Sequence, residues 1–184
     1  MHLFEPHEPY VSHPGREFGR DARSRYESEC AAADASIGAL RDAVTALRGE
    51  VAWVVSADHG EEFGEHGGAF HGTSVYGEQV RVPLVVVVPG LSPRAVDAPV
   101  SLVDVMPTIL GGVGVPRPPR VMGDDLGPMI YGHAWRRPVF SETGSLRRVT
   151  LAREALIADL ADGALELYDL DRDPRERANL ADAR

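Results

Sequence analysis

The feature that most constrains this chain is a short apolar run that leads directly into a segment rich in histidine, acidic residues and glycine. The run covers residues 51–55, and the segment that follows, residues 56–72, contains three histidines and five glycines. A second apolar run comes next, at residues 82–88. Because charged and imidazole side chains are seldom buried without partners, this pattern favours a functional loop between two strands.

The first apolar run has the character of an inner strand. Residues 51–55 are mostly β-branched, and no polar residue alternates with them. Such runs are typical of parallel sheets that are covered on both faces by helices. We therefore expect an α/β fold with a mostly parallel sheet and flanking helices. Ligands in such folds bind beyond the carboxyl ends of the strands, and Asp58 and His59 lie at that end.

Asp58 and His59 are candidate ligands of a divalent cation, because carboxylate oxygens and imidazole nitrogens both coordinate metals. Neighbouring residues of a regular strand point to opposite faces, so the two can share one ion only where the chain has left the strand. Gly60 favours such a turn, since glycine accepts backbone angles that other residues avoid. The alternative is a solvated turn in which Asp58 caps backbone amides.

Composition and charge exclude several classes of protein. The chain has 184 residues, enough for a domain with its own core, and a formal net charge of −9 that disfavours binding to a nucleic-acid backbone. We expect no membrane segment and no signal peptide, because no apolar run approaches bilayer length and the first residues lack a basic region and a long apolar stretch. The single cysteine, Cys30, excludes an internal disulfide.

One long helix is predicted over residues 25–48. Ser24 and Glu27 form a capping-box pattern at its start, and Gly49 is a suitable C-terminal cap. Apolar residues recur within it at spacings of four and three, which places them on one face. These residues are Tyr26, Cys30, Ala33, Ile37, Leu40, Val44 and Leu47.

Shorter elements are predicted further along the chain. We expect a short helix at residues 77–80, a second buried strand at residues 84–88, and a helix capped by Asp104. A strand is expected at residues 139–142. A hairpin should pair residues 149–159 with residues 165–170 around the turn signal Asp162-Gly163.

Five segments of the sequence carry a resemblance to a known family. The first is Pro6-His7-Glu8-Pro9-Tyr10, and the third contains Asp58-His59-Gly60-Glu61, then Gly64-Glu65-His66-Gly67 and His71-Gly72. The others cover residues 26–40, 101–110 and 166–180. In this order they resemble the C-terminal half of the catalytic domain of the sulfatase family, in the alkaline phosphatase superfamily.

The resemblance implies a partial alkaline phosphatase-like sandwich. Residues 1–138 would form the C-terminal half of the α/β catalytic domain. Residues 139–184 would form a small antiparallel subdomain, built on the predicted hairpin, and a charged tail.

The resemblance also implies roles for individual residues. Asp58 and His59 would bind a divalent metal, expected to be Ca²⁺. His7 and His71 would bind the substrate ester and act as catalytic residues, because a histidine can donate to an oxyanion and deliver a proton near neutral pH. A structural hydrogen bond is the favoured role for His66. The acids Glu61, Glu62 and Glu65 oppose an anion pocket, so they must point away, pair with basic groups or hold the loop.

The family's nucleophile, a formylglycine made from cysteine, or a serine, has no counterpart in this sequence, because Cys30 does not lie in a Cys-x-Pro-x-Arg context. The family's early aspartate pair is also absent. Asp58 and His59 alone are too few ligands for calcium, which takes six to eight oxygens. We therefore expect an incomplete enzyme that arises from a truncated gene model, a split gene or a degenerate remnant, with a separate N-terminal half as a possible partner.

Three functions are compatible with the sequence. The first is a metal-dependent hydrolase of small-molecule sulfuric esters, active only when completed. The second is a related phosphodiesterase, phosphonate hydrolase or phosphoglycerol transferase. The third is a non-catalytic remnant with a binding or scaffold role. Localisation stays open, although members of the family are often exported or membrane-anchored through the part that is missing here.

Overall fold

The computed structural model describes residues 1–181, which form helices, short strands and long connecting segments. In chain order the elements are α1 (Ala22–Arg48), β1 (Trp53–Ser56), β2 (Glu62–Phe63), β3 (Ala69–Phe70), α2 (Gly77–Val80), β4 (Leu84–Val87), α3 (Val105–Gly112), α4 (Gly127–Ile130), β5 (Val139–Thr143), β6 (Leu146–Leu151), β7 (Glu154–Asp159) and β8 (Leu165–Asp169). Within these described residues, no helix is long and apolar enough to cross a bilayer.

The chain divides into two compact units. The first contains residues 1–56 and 83–92, and the second contains residues 57–82 together with the chain from residue 93 onward. The loop that carries Asp58, His59 and His71 therefore belongs to the second unit, whereas His7 belongs to the first. The predicted domain boundary between residues 138 and 139 stays a prediction.

Helix α1 is the main element of the first unit, and its start differs from the predicted one. Asp21, not Ser24, is the N-cap, and its carboxylate accepts a hydrogen bond from the Ser24 amide at 2.9 Å. The expected apolar face exists but is only half-buried, and Leu47 is exposed. Gly49 caps the C-terminus as predicted, with its amide bonded to the Thr45 carbonyl.

Polar side chains of α1 hold the irregular N-terminal segment in place. The buried Glu29 carboxylate accepts hydrogen bonds from the backbone amides of His7 and Val11, at 3.2 Å and 2.9 Å. The buried Ser28 hydroxyl accepts another from the His13 amide at 2.8 Å. Because each bond satisfies a backbone donor, this segment is ordered by hydrogen bonds more than by apolar packing.

The expected mostly parallel sheet is wrong for the described residues. The two apolar runs form β1 and β4, which pair antiparallel with each other from Trp53 opposite Val87 to Ser56 opposite Leu84. Every other strand pair recorded is also antiparallel. Two strands cannot cover both of their faces, so Val85 and Val87 are about half exposed instead of buried.

The second unit contains the antiparallel subdomain, which is larger than the predicted hairpin. Its four strands are ordered β5-β6-β7-β8. The stretch predicted as one strand, residues 149–159, turns at Ala152 and is shared between β6 and β7. Ala152 has a positive φ of 53°, a conformation that favours glycine or asparagine, so this turn carried no sequence signal.

The core of the second unit joins this sheet to the segment before α2. Ala155, Ile157 and Tyr168 are buried on one face of the sheet and form a cluster with Val75. Tyr76 and Val80 pack against the same cluster. The C-terminal sheet is therefore the surface against which the chain that follows His71 packs, between Val75 and Val80.

Gly38 lies inside α1, and a β-carbon added there would meet no atom within 4 Å. We expect Gly38→Ala to raise the free energy of unfolding by about 0.5–1 kcal/mol, because glycine loses more backbone entropy in a helix than alanine does. Urea denaturation followed by circular dichroism would measure the change. A decrease would contradict a continuous helix at this position.

Candidate active site

Asp58 and His59 lie just after the end of β1, and their side chains approach each other. The Asp58 Oδ2 atom is 3.8 Å from His59 Nε2, while Oδ1 accepts from the His59 amide at 3.2 Å. His59 Nδ1 lies 2.9 Å from the Gly60 carbonyl oxygen. A carbonyl only accepts, so Nδ1 carries the proton when the ring is neutral, and the lone pair is then on Nε2, the nitrogen that lies nearer to the Asp58 carboxylate.

Gly60 is required for a different reason from the predicted one. Its φ is not among the positive values, so the turn does not need glycine's special angles. Instead, the Gly60 amide donates to the Gln79 carbonyl at 2.8 Å, and a β-carbon at Gly60 would lie only 2.0 Å from the Glu78 carbonyl oxygen. The glycine therefore permits a close backbone approach between the start of the loop and α2.

His71 lies beside the Asp58–His59 pair. Its ring stacks on His59 with a centroid distance of 3.8 Å. Its Nδ1 faces the carboxylate of Glu61, which is almost completely buried, at 3.2 Å. The structure thus brings together three of the four predicted site residues, Asp58, His59 and His71. Glu61 orients His71 through its contact with Nδ1.

Glu62 and Glu65 hold the loop. The buried Glu62 carboxylate accepts from the amides of His66 and Gly68 and from the Gln79 side chain, at 3.1, 2.7 and 2.8 Å. Burial alone would raise the pKa of Glu62, but these hydrogen bonds hold it below its ordinary value. Glu65 accepts from the Phe63 amide at 2.6 Å.

Gln79 is a buried residue that the sequence did not reveal as important. Its side-chain oxygen accepts from the Thr73 and Ser74 amides, both at 3.1 Å, while its amide group donates to Glu62 and to the Thr73 hydroxyl. A lone glutamine before a strand gives no sequence signal. Its hydrogen bonds close the loop onto α2.

His7 is oriented by local contacts within the first unit. Its Nδ1 lies 2.8 Å from the Glu8 carbonyl oxygen, and its ring stacks on Phe4. The Nδ1 atom therefore carries the proton when the ring is neutral. The predicted roles of His7 and His71 toward a substrate stay predictions.

The donors of the candidate metal site are a partial set. Asp58 and His59 offer one oxygen and one nitrogen separated by 3.8 Å, a spacing that two ligands of one ion can have. The Gly60 carbonyl contacts Nδ1 of His59 and fixes the tautomer of its imidazole, as is usual for metal ligands. Among residues 1–181, however, no group of three or more His, Cys, Asp or Glu side chains is placed to hold a metal ion.

Comparison with known proteins gives the class of this fold and site. A sequence model described as Sulfatase matches residues 1–115, and one described as N-sulphoglucosamine sulphohydrolase, C-terminal, matches residues 64–184. The chain therefore belongs to the sulfatase family.

Two relatives show which proteins of this family the chain is similar to. The chain is 31% identical to Arylsulfatase K of Xenopus laevis over 183 residues, and 31% identical to Choline-sulfatase of Rhizobium meliloti over 173 residues. These alignments cover 88% and 89% of this chain but only 34% of each relative. The chain thus spans about a third of the length of these relatives.

A solved structure is also similar to this chain over most of its length. Phosphonate monoester hydrolase from Silicibacter pomeroyi is 28% identical, with a TM-score of 0.77 over 88% of this chain and 37% of that one. The neighbours in structure have the alkaline phosphatase-like fold, which the mixed helices and antiparallel sheets of this chain fit coarsely.

Gly60→Ala tests the close approach of the loop to α2. We expect the free energy of unfolding of the second unit to fall by about 1–3 kcal/mol, because the Glu78 carbonyl must move or the bond between Gly60 and Gln79 must break. Thermal denaturation would measure the loss, with Gly38→Ala as the matched substitution that meets no neighbour. Equal stability of the two variants would contradict the packing described.

Proposed function

We propose that this chain supplies the leaving-group side and part of the metal site of a sulfatase-type hydrolase of small-molecule sulfuric esters. The observation that carries the proposal is the cluster of Asp58, His59 and His71, in which Asp58 Oδ2 lies 3.8 Å from His59 Nε2 and the His71 ring stacks on the His59 ring. The membership of the family supports the reaction class.

The proposed metal ligands are Asp58 Oδ2 and His59 Nε2. A bound divalent cation would supply Lewis-acid polarisation of the ester oxygens. The donors that complete the set would come from outside the described residues. The imidazole nitrogen is a donor that suits transition metals better than calcium, so calcium stays a prediction that a competition between metals can decide.

The histidines would act on the ester itself. His71, held by Glu61 through Nδ1, would donate from its ring to the charge that develops on the ester or to the departing oxygen. His7 would bind the ester from the N-terminal segment.

The nucleophile would come from another polypeptide segment. The chain spans about a third of its relatives, and no residue here matches the family's formylglycine context. The half-exposed valines of β4, Val85 and Val87, offer an apolar sheet face of the kind that a further layer of structure covers. We infer that the nucleophile comes from the region of these relatives that residues 1–184 do not cover, and that residues 1–184 by themselves do not turn over substrate.

A second candidate function is hydrolysis of a phosphonate or phosphate ester. The similarity to the phosphonate monoester hydrolase supports it, and so does the aspartate–histidine pair, because both reactions need charge stabilisation on a tetrahedral anionic centre. The identity of the missing nucleophile would distinguish the two.

Metal binding tests the Asp58–His59 pair directly. We expect Mn²⁺ added to the ¹⁵N-labelled chain to broaden the resonances of His59 and its neighbours first, and Asp58→Asn to weaken this effect at least tenfold in metal concentration. Asp34→Asn, which changes an exposed aspartate on α1, is the matched control. Broadening that begins elsewhere, or that survives Asp58→Asn unchanged, would refute the metal site.

Turnover tests the reaction class. A chimera in which this chain replaces the corresponding region of the phosphonate monoester hydrolase would supply a nucleophile half, and aryl sulfate and aryl phosphonate esters would be compared as substrates. We expect His71→Ala to lower kcat by about 10²–10⁴-fold, as is usual for loss of a proton-transfer group. His133→Ala, at an exposed histidine, should leave kcat unchanged. A stable, metal-binding chimera with no turnover would favour a non-catalytic role.

A further inference from the structure

Both ring nitrogens of His66 face hydrogen-bond acceptors. Nδ1 lies 2.5 Å from Glu78 Oε1, and Nε2 lies 3.0 Å from the backbone oxygen of Glu176. A carbonyl oxygen only accepts, and so does an ionised carboxylate. Two donors are therefore needed on the ring, and only the protonated imidazolium supplies both.

The groups around the ring agree with a positive charge. Glu62 accepts from the His66 backbone amide, and the Glu176 side chain, paired with Arg148, lies close to the ring. Burial alone would lower the pKa of His66, but the hydrogen bonds to Glu78 and to the Glu176 carbonyl raise it above its ordinary value. The acceptors of the His66 ring and backbone amide thus come from three separate parts of the second unit.

The remaining neighbour of the ring does not titrate near neutral pH. Tyr76 stacks on His66 with a centroid distance of 3.7 Å and an interplanar angle of 8°. Burial and the hydrogen bond to Glu166 raise the pKa of Tyr76 to about 12. A pH-dependent change at this position between pH 6 and 9 can therefore be assigned to His66.

His66 links the loop to the C-terminal segment, which is the chain that follows β8 and contains Glu176. Its amide is bonded to Glu62 inside the loop, while its ring reaches α2 through Glu78 and the C-terminal segment through Glu176. The Glu176 carboxylate also accepts from the Gly77 amide at 2.6 Å and forms an ion pair with Arg148 at 2.5 Å.

We propose that His66, as an imidazolium, is a positioning residue that locks the 60–72 loop onto α2 and the C-terminal segment. The lock fixes the loop that presents His71, and it opens when His66 loses its proton. The part of this statement that concerns His71 rests on the proposed function, whereas the lock itself does not.

The direction of the pH effect follows from the raised pKa. The lock is fully formed below the ordinary histidine pKa of about 6.5 and weakens as the pH rises through the higher value of the folded protein. A neutral ring keeps one proton, so one nitrogen then presents a lone pair to an acceptor. The contact with the Glu78 carboxylate is the one expected to break.

The protonation state has a direct spectroscopic signature. We expect long-range ¹H–¹⁵N spectra of the full chain at pH 6 to show both ring nitrogens of His66 protonated, with a transition to one protonated nitrogen above pH 6.5. A ring that is neutral at pH 6 would overturn the proposal.

Two variants separate the charge from mere packing. His66→Phe keeps a ring to stack on Tyr76 but removes both donors, so we expect the hydrogen-exchange protection of the amides at position 66 and at Gly68 to fall about tenfold or more at pH 6. Glu78→Gln supplies a donor to Nδ1, so a neutral His66 is fully satisfied. In this variant the protection should persist and should no longer depend on pH between 6 and 9.

The controls make each outcome decisive. His133→Ala, at an exposed histidine of the same unit, should leave the protection unchanged at both pH values. If His66→Phe fails to fold, the pH profile of Glu78→Gln still decides, because a profile equal to that of the unaltered chain would overturn the lock. None of these measurements uses turnover, so failure of the proposed catalytic function would leave them unaffected.

Discussion

The ion pair between Arg148 and Glu176 is the contact on which the candidate site depends. Both side chains are almost completely buried, and Arg148 also donates to the Val75 carbonyl while Glu176 accepts from the Gly77 amide. Removing one member of such a pair leaves a buried charge uncompensated, which costs about 3–5 kcal/mol. The pair therefore fastens the residues that follow the loop to strand β6 and to the C-terminal segment.

The buried and the exposed polar residues of the site have different roles. The buried residues Glu62 and Gln79 form hydrogen bonds with backbone amides and with each other. Since every such group is satisfied, the loop gains order without an apolar core of its own. The residues with proposed chemistry, Asp58 and His59, remain accessible, and Asp58 is 81% exposed. A loop built in this way can be both rigid and open to solvent.

The sequence predicted the elements better than their arrangement. The 3.6-residue pattern located α1 because its apolar face is periodic, and the apolar runs located β1 and β4. The apolar runs indicated buried strands but not how those strands pair or what covers them. The predicted parallel sheet is therefore wrong for the described residues, in which β1 and β4 pair antiparallel. The Asp58–His59 pair could be recognised from its residue types. The anchors Gln79, Glu78 and Arg148 could not, because their importance comes from contacts between residues far apart in the chain.

The acidic residues of the loop differ in how far their charges are compensated, and this difference bears on the proposed cation. The carboxylates of Glu61, Glu62 and Glu65 each face a donor, so their charges are largely compensated where they lie. Asp58 is different, because its charge is exposed at the point where an anionic ester would approach. Coulomb repulsion at that short distance opposes the ester unless a positive charge is present. Under the proposed function, the Asp58 carboxylate would bind the cation and would also make binding of the ester depend on that cation.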